Sequence, residues 1–169
     1  YRKTINVPAE KNGKKVYLYF EGVYNRSEVY LNGQLLGKRP NGYISFMYDA
    51  TPHIKAGEDN VIAVRVDHSK AADSRWYTGS GIYRDVWLIY SNPVHIAQWG
   101  VFAFPENVST RQANLKVEVE VENGTQNNSG LTIINELFSS DGKSVAKISK
   151  KMSAPANQKS KLSADIKVN

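Results

Sequence analysis

The strict alternation of Leu115, Val117, Val119 and Val121 with Lys116, Glu118, Glu120 and Glu122 constrains this chain most. A period of two puts four aliphatic side chains on one side of the backbone and four charges on the other. The segment therefore predicts a strand with one buried and one wetted face, an arrangement that antiparallel sheets permit. The same period recurs where Val16, Leu18 and Phe20 alternate with Tyr17, Tyr19 and Glu21, and where Ile62, Val64 and Val66 alternate with Ala63, Arg65 and Asp67. Residues 131–138 are more apolar on both sides. No segment carries a 3.6-residue period, so the chain reads as all-β.

Turn chemistry divides these runs. Asn32-Gly33 stands between Val29-Tyr30-Leu31 and Gln34-Leu35-Leu36, where a type I′ hairpin needs two successive positive φ angles. Glu122-Asn123-Gly124 and Asp141-Gly142 repeat the signal. Short strands punctuated by Gly, Asn and Pro predict β-sandwiches. Ser91-Asn92-Pro93 gives the best boundary, dividing the chain into 1–92 and 93–169.

With 169 residues and 41% apolar content, the chain is large enough to bury a core. No apolar run approaches the roughly 20 residues that span a bilayer, and the start does not read as a signal peptide. A soluble protein without membrane association is expected, in the bacterial cytoplasm or periplasm. The absence of cysteine excludes disulfides, thiolate nucleophiles and cysteine zinc sites. The net charge of +6 is lopsided only after Asp141, where seven lysines face Asp141 and Asp165 with no arginine and no aromatic residue. Nucleic-acid surfaces combine arginine with stacking aromatics, so the tail reads as a solvated lysine-rich sheet face and no nucleic-acid partner is expected.

The densest stretch of unusual residues is Ser74-Arg75-Trp76-Tyr77-Thr78-Gly79-Ser80-Gly81-Ile82-Tyr83-Arg84-Asp85-Val86-Trp87-Leu88. It resembles the signature of the non-catalytic sugar-binding domain of glycoside hydrolase family 2, the group containing β-galactosidases and β-glucuronidases. Tyr1-Arg2-Lys3-Thr4-Ile5, Phe20-Glu21-Gly22-Val23, Val29-Tyr30-Leu31-Asn32-Gly33, Phe46-Met47-Tyr48-Asp49-Ala50-Thr51 and 57–67 resemble further landmarks of that domain in the same order. The likeness continues more loosely through Pro93-Val94-His95-Ile96 and Trp99-Gly100-Val101.

The resemblance implies a jelly-roll, galactose-binding-like sandwich over 1–92 and an immunoglobulin-like sandwich over 93–169, both expected to be truncated. It also implies that catalysis belongs to a TIM barrel outside this sequence, where two glutamates perform retaining hydrolysis of a terminal β-glycoside. Asn135-Glu136 is similar to the family's acid/base pair, but its strand-like setting makes Glu136 an ordinary strand residue. No catalytic residue and no cofactor are expected in this chain. Whether a divalent metal serves the barrel, and whether the parent forms a homo-oligomer, are left open. His53, His68 and His95 lack metal-ligand spacing, so no metal site is expected. Ser74, Ser80, Asp85 and His68 do not form a nucleophile-elbow pattern.

For the sugar site, the resemblance implies that an acidic residue upstream of the tryptophan reaches the bound sugar's hydroxyls. Asp73 stands nearest that place, with Ser74 as the neighbouring candidate, and Trp76 offers an aromatic face for stacking. Arg75, Tyr77, Gly79, Gly81, Tyr83 and Arg84 are expected to hold the signature's structure, with the arginines acting as ion-pair or carbonyl donors, Asp67 and Asp85 among their candidates. Trp87 is expected to fill core or cap a junction. The implied partners are a β-galactoside or related carbohydrate and the parent's barrel. Two other readings stay open at this point: a free-standing carbohydrate-binding module and an adhesive double sandwich.

Overall fold

A computed structural model describes residues 1–69 and 79–168. The regular structure of the described residues is β-strand apart from one 3-10 turn, and the chain forms two compact units, Tyr1–Asn92 and Pro93–Asn169.

The first unit contains β1 (Arg2–Asn6), a 3-10 turn (Ala9–Lys11), β2 (Lys15–Phe20), β3 (Val23–Tyr24), β4 (Ser27–Leu31) and β5 (Gln34–Arg39). It continues with β6 (Phe46–Asp49), β7 (Asp59–Val66), β8 (Gly81–Ile82) and β9 (Val86–Ser91). One sheet has the order β1-β7-β4-β5, a second the order β6-β2-β9, and β3 pairs with β8. Period-two alternation explains the core: Val16, Leu18 and Phe20 from β2 meet Val29 and Leu31 from β4, Phe46 from β6 and Val64 from β7. The rings of Phe20 and Phe46 stack at 5.0 Å.

The Asn32-Gly33 turn takes the positive φ pair that a type I′ hairpin needs, 50° and 83°. Its asparagine does a second job. Asn32 Nδ2 donates to the His53 carbonyl at 2.9 Å and to Asn60 Oδ1 at 2.8 Å, while its Oδ1 accepts from the Val61 amide. Asn60, fully buried, ties the 55–58 segment down through the Lys55 and Glu58 carbonyls.

The second unit contains β10 (Val94–Glu106), β11 (Ala113–Asn123), β12 (Ser129–Phe138), β13 (Ser144–Ala154) and β14 (Gln158–Val168). Its sheets have the orders β10-β11-β14 and β12-β13. Val117, Val119 and Val121 form the buried stripe of β11 and pack with Ala154 and Ile166, Leu131, Ile133 and Ile148 lying against them. The opposite face carries Glu120, whose carboxylate meets Lys159 at 3.8 Å and Lys161 at 3.5 Å. Part of the lysine-rich tail is thus the charged cross-strand complement of the β11 glutamates. Glu136 lies on β12 opposite Lys147, with an ion pair of 3.1 Å.

Two expectations change. Asn123-Gly124 makes no type I′ hairpin, because the Asn123 side chain is fully buried and donates to the Asn127 and Ala154 carbonyls at 2.9 and 2.8 Å. Its Oδ1 accepts from the Thr125 amide and hydroxyl, so the residue anchors a loop from within. Trp87 is half exposed rather than core. It lies on the edge strand β9, next to the inward-packed Leu88, and its indole N–H donates to Glu21 Oε1 at 2.9 Å.

Candidate functional site

β7 ends at Val66, and the signature segment contains β8 and the start of β9. Asp73, Ser74, Arg75, Trp76 and Tyr77 lie outside the described residues, whereas Gly79, Gly81, Tyr83 and Arg84 are placed. β8 is tightly fitted. Gly81 has φ 124°, open to glycine, and the Tyr1 hydroxyl occupies the space that a side chain there would take. Among the described residues, nothing comes within 4 Å of where a Gly79 side chain would begin.

The short ladder of β3 and β8 pairs Val23 with Ile82 and Tyr24 with Gly81. This brings the signature against a small aromatic lip. Tyr83 passes across Gly22, where any side chain would strike its ring, and its hydroxyl donates to the Gly42 carbonyl at 2.8 Å. Gly42 in turn lies against the Tyr24 ring. Tyr43 meets Tyr24 edge-on at 5.3 Å and is itself exposed. Asn41 Oδ1 accepts from the amides of Tyr43 and Ile44 at 2.8 and 3.2 Å, which fixes the turn that presents Tyr43. Exposed aromatics on a fixed turn can supply flat apolar surface to a sugar's C–H face.

The side that follows β7 is polar. Asp67 accepts from the Ser69 hydroxyl and amide at 2.6 and 2.9 Å. Those hydrogen bonds, first the hydroxyl and then the amide, with the charges of Arg26 and Arg65 beyond, hold its carboxyl below the usual carboxylate range. Arg65 lies 3.8 Å from Asp67, and Arg84 lies 5.7 Å from the centroid of the Tyr83 ring. His68 Nδ1 and Ser80 Oγ are 2.6 Å apart. The Asp85 carbonyl accepts from the Glu21 amide at 3.1 Å. Among the described residues, no three His, Asp or Glu side chains gather as a metal-ligand set.

Sequence reasoning missed Tyr24, Gly42 and Tyr43. The available signal was Asn41-Gly42 followed by an aromatic residue, a turn that presents a ring.

The sequence profile described as "Glycosyl hydrolases family 2, sugar binding domain" matches residues 1–93. The chain belongs to glycosyl hydrolase family 2. Among family relatives, the β-galactosidase BoGH2A of Bacteroides ovatus is 44% identical over 146 residues, which make up 86% of this chain and 17% of that protein. A β-glucuronidase of Formosa agariphila is 35% identical over 182 residues, covering 96% of this chain and 19% of that protein. The chain thus spans about a fifth of the length of these relatives. Among solved structures, a family 2 member from Bacteroides cellulosilyticus matches with a TM-score of 0.93 at 27% identity, covering 99% of this chain and 23% of that one. A β-glycosidase from Bacteroides vulgatus matches with a TM-score of 0.85 at 43% identity, covering 98% of this chain and 20% of that one. These matches agree with the β-sandwich fold. No helix among the described residues is long and apolar enough to cross a membrane.

Proposed function

We propose that this chain is the non-catalytic part of a family 2 β-glycosidase of β-galactosidase type, which hydrolyses terminal β-glycosides with retention. Residues 1–92 act as the sugar-binding unit and residues 93–169 as an immunoglobulin-like linker, together scaffolding a TIM barrel. Asp73, Ser74 and Trp76 reach from the signature segment toward the sugar, Asp73 accepting hydroxyl hydrogen bonds and Trp76 lying on a C–H face. The chemistry needs two carboxylates about 5 to 5.5 Å apart across the glycosidic bond, and the barrel supplies both.

The observation that carries this reading is the match of the sugar-binding profile over residues 1–93. The 44% identity to a protein named β-galactosidase favours a galactoside, while the 35% identity to one named β-glucuronidase keeps a glucuronide as the second reading.

The test compares the complete enzyme on aryl β-galactosides and β-glucuronides. Asp73→Ala is expected to lower kcat/KM on the preferred substrate by about 1 to 3 kcal/mol, the loss of one or two sugar hydrogen bonds. An unchanged kcat/KM removes Asp73 from the site.

A further inference from the structure

β10 is an edge strand of its sheet, and its wetted face carries a line of rings. Phe102 stands opposite Glu118 and Phe104 opposite Lys116, so both rings share the charged face of β11. Their centroids lie 5.1 Å apart, and Phe102 is exposed. Trp99 joins them through an unusual backbone. Between the pairs Ile96–Val121 and Val101–Val119, residues 97–100 of β10 face Glu120 alone, a bulge of the kind that re-aims a side chain. Trp99 takes φ 53° there, a left-handed conformation that a bulky residue enters only at a cost, yet it is 67% exposed. Gly100 lets the bulge close, because a side chain there would begin 2.6 Å from the Ala97 carbonyl and 2.7 Å from that of Glu120.

Polar groups converge beside the rings. Trp99, Phe102, Glu118, Glu120 and Lys161 line a recess of about 80 Å³, room for one edge of a sugar. Lys161 and Lys159 close on Glu120 at 3.5 and 3.8 Å, whereas the half-buried Glu118 makes no ion pair among the described residues. Rings cover the C–H face of a pyranose, and a carboxylate beside them accepts its hydroxyls.

We propose that the wetted face of the β10-β11-β14 sheet is a carbohydrate site, holding an extended neutral glycan along Trp99, Phe102 and Phe104 with Glu118 accepting its hydroxyls. It belongs to residues 93–169 and does not rest on the reading of Asp73. The two glutamates repel a uronate-bearing chain, which makes the ligand a neutral one. A peptide strand is disfavoured, because the bulge and Pro105, which lacks an N–H, interrupt the free edge of β10. One sugar covers one ring, so binding is weak for a monosaccharide and grows with the length of the glycan.

The test runs the complete enzyme on native gels containing neutral β-galactan, neutral β-glucan or polygalacturonate. A neutral polymer should retard the enzyme and polygalacturonate should not. Phe102→Ala and Glu118→Ala should each weaken retardation roughly three- to tenfold, with kcat/KM on an aryl β-glycoside unchanged. Trp99→Gly should abolish retardation while leaving Tm equal or higher, because glycine adopts φ 53° freely. Retardation by neither neutral polymer, equal retardation by polygalacturonate, or retardation unchanged in all three variants overturns the site. A fall in Tm for Trp99→Gly overturns it too, since the ring then packs against protein instead of awaiting a glycan.

Discussion

The hydroxyl of Tyr83 donates to the carbonyl of Gly42 at 2.8 Å, joining the turn after β8 to the loop between β5 and β6. Tyr83→Phe keeps the ring over Gly22 and removes only this bond, so the expected loss is about 1 kcal/mol in urea unfolding. Gly42→Ala should cost more, about 1 to 3 kcal/mol, because the added methyl enters the Tyr24 ring. If Gly42→Ala proves neutral, the lip is looser than its geometry indicates.

Asn60 is fully buried, with its amide bonded to the Lys55 and Glu58 carbonyls and its Oδ1 accepting from the Lys55 amide at 2.8 Å and from Asn32. Asn60→Ala leaves several of these groups without partners in the interior, and each costs about 1 to 3 kcal/mol. The expected destabilisation is about 3 kcal/mol or more by denaturant titration. Asn60→Asp should recover little, because a carboxylate cannot donate to the two carbonyls. Recovery to near wild type would mean that the accepting half of Asn60 carries the turn.

Glu28 sits among Lys38 at 2.7 Å, the Tyr30 hydroxyl at 2.8 Å and Arg65 at 3.3 Å. The Lys38 hydrogen bond first, then those of Tyr30 and Arg65, lower its pKa from 4.5 to about 2. A carboxyl lowered on folding contributes stability that is complete above its unfolded value and lost as pH falls through the folded one. The contribution of Glu28 should therefore be whole above about pH 4.5 and decline toward pH 2. In acid titrations of stability, Glu28→Gln should show a shallower slope than wild type across that window, and the difference should shrink in 1 M salt. Parallel curves would show that the carboxylate gains nothing from its neighbours on folding.

What the sequence disclosed depended on whether the determinant was local. The β11 stripe was legible because Val117, Val119 and Val121 need only a period of two to share a face. Asn32-Gly33 was legible because its backbone angles are dictated by the two residues themselves. Asn123-Gly124 has the same letters, but its side chain is drawn inward by the Ala154 carbonyl, 31 positions away. The exposure of Trp87 was not legible because nothing local marks β9 as an edge strand. The Glu28 cluster exists because the register sets Glu28 opposite both Lys38 and Arg65. The His68–Ser80 contact likewise depends on where two strands in different sheets come to rest. Asp73, Ser74 and Trp76 rest on family resemblance, and their standing in the site is a matter for kinetics.

This chain can also be tested by itself. Titrated with galactosides or glucuronides, it should bind at about millimolar or weaker, roughly 4 kcal/mol. Tight sugar sites surround hydroxyls with converging acceptors and donors on an apolar floor. Among the described residues, the recess between Tyr1, Phe20, Ile62, Val64, Ile82 and Val86, about 300 Å³, adds only Arg2 and Lys3 to that apolar wall, with no carboxylate or amide side chain from them. Exposed rings such as Tyr43 offer stacking surface, but stacking without hydroxyl partners leaves a sugar's polar rim to water. Calorimetry at millimolar sugar decides the matter. Binding at micromolar concentrations would show that the sandwich carries a complete site of its own, and the scaffold reading would give way to an autonomous carbohydrate-binding module.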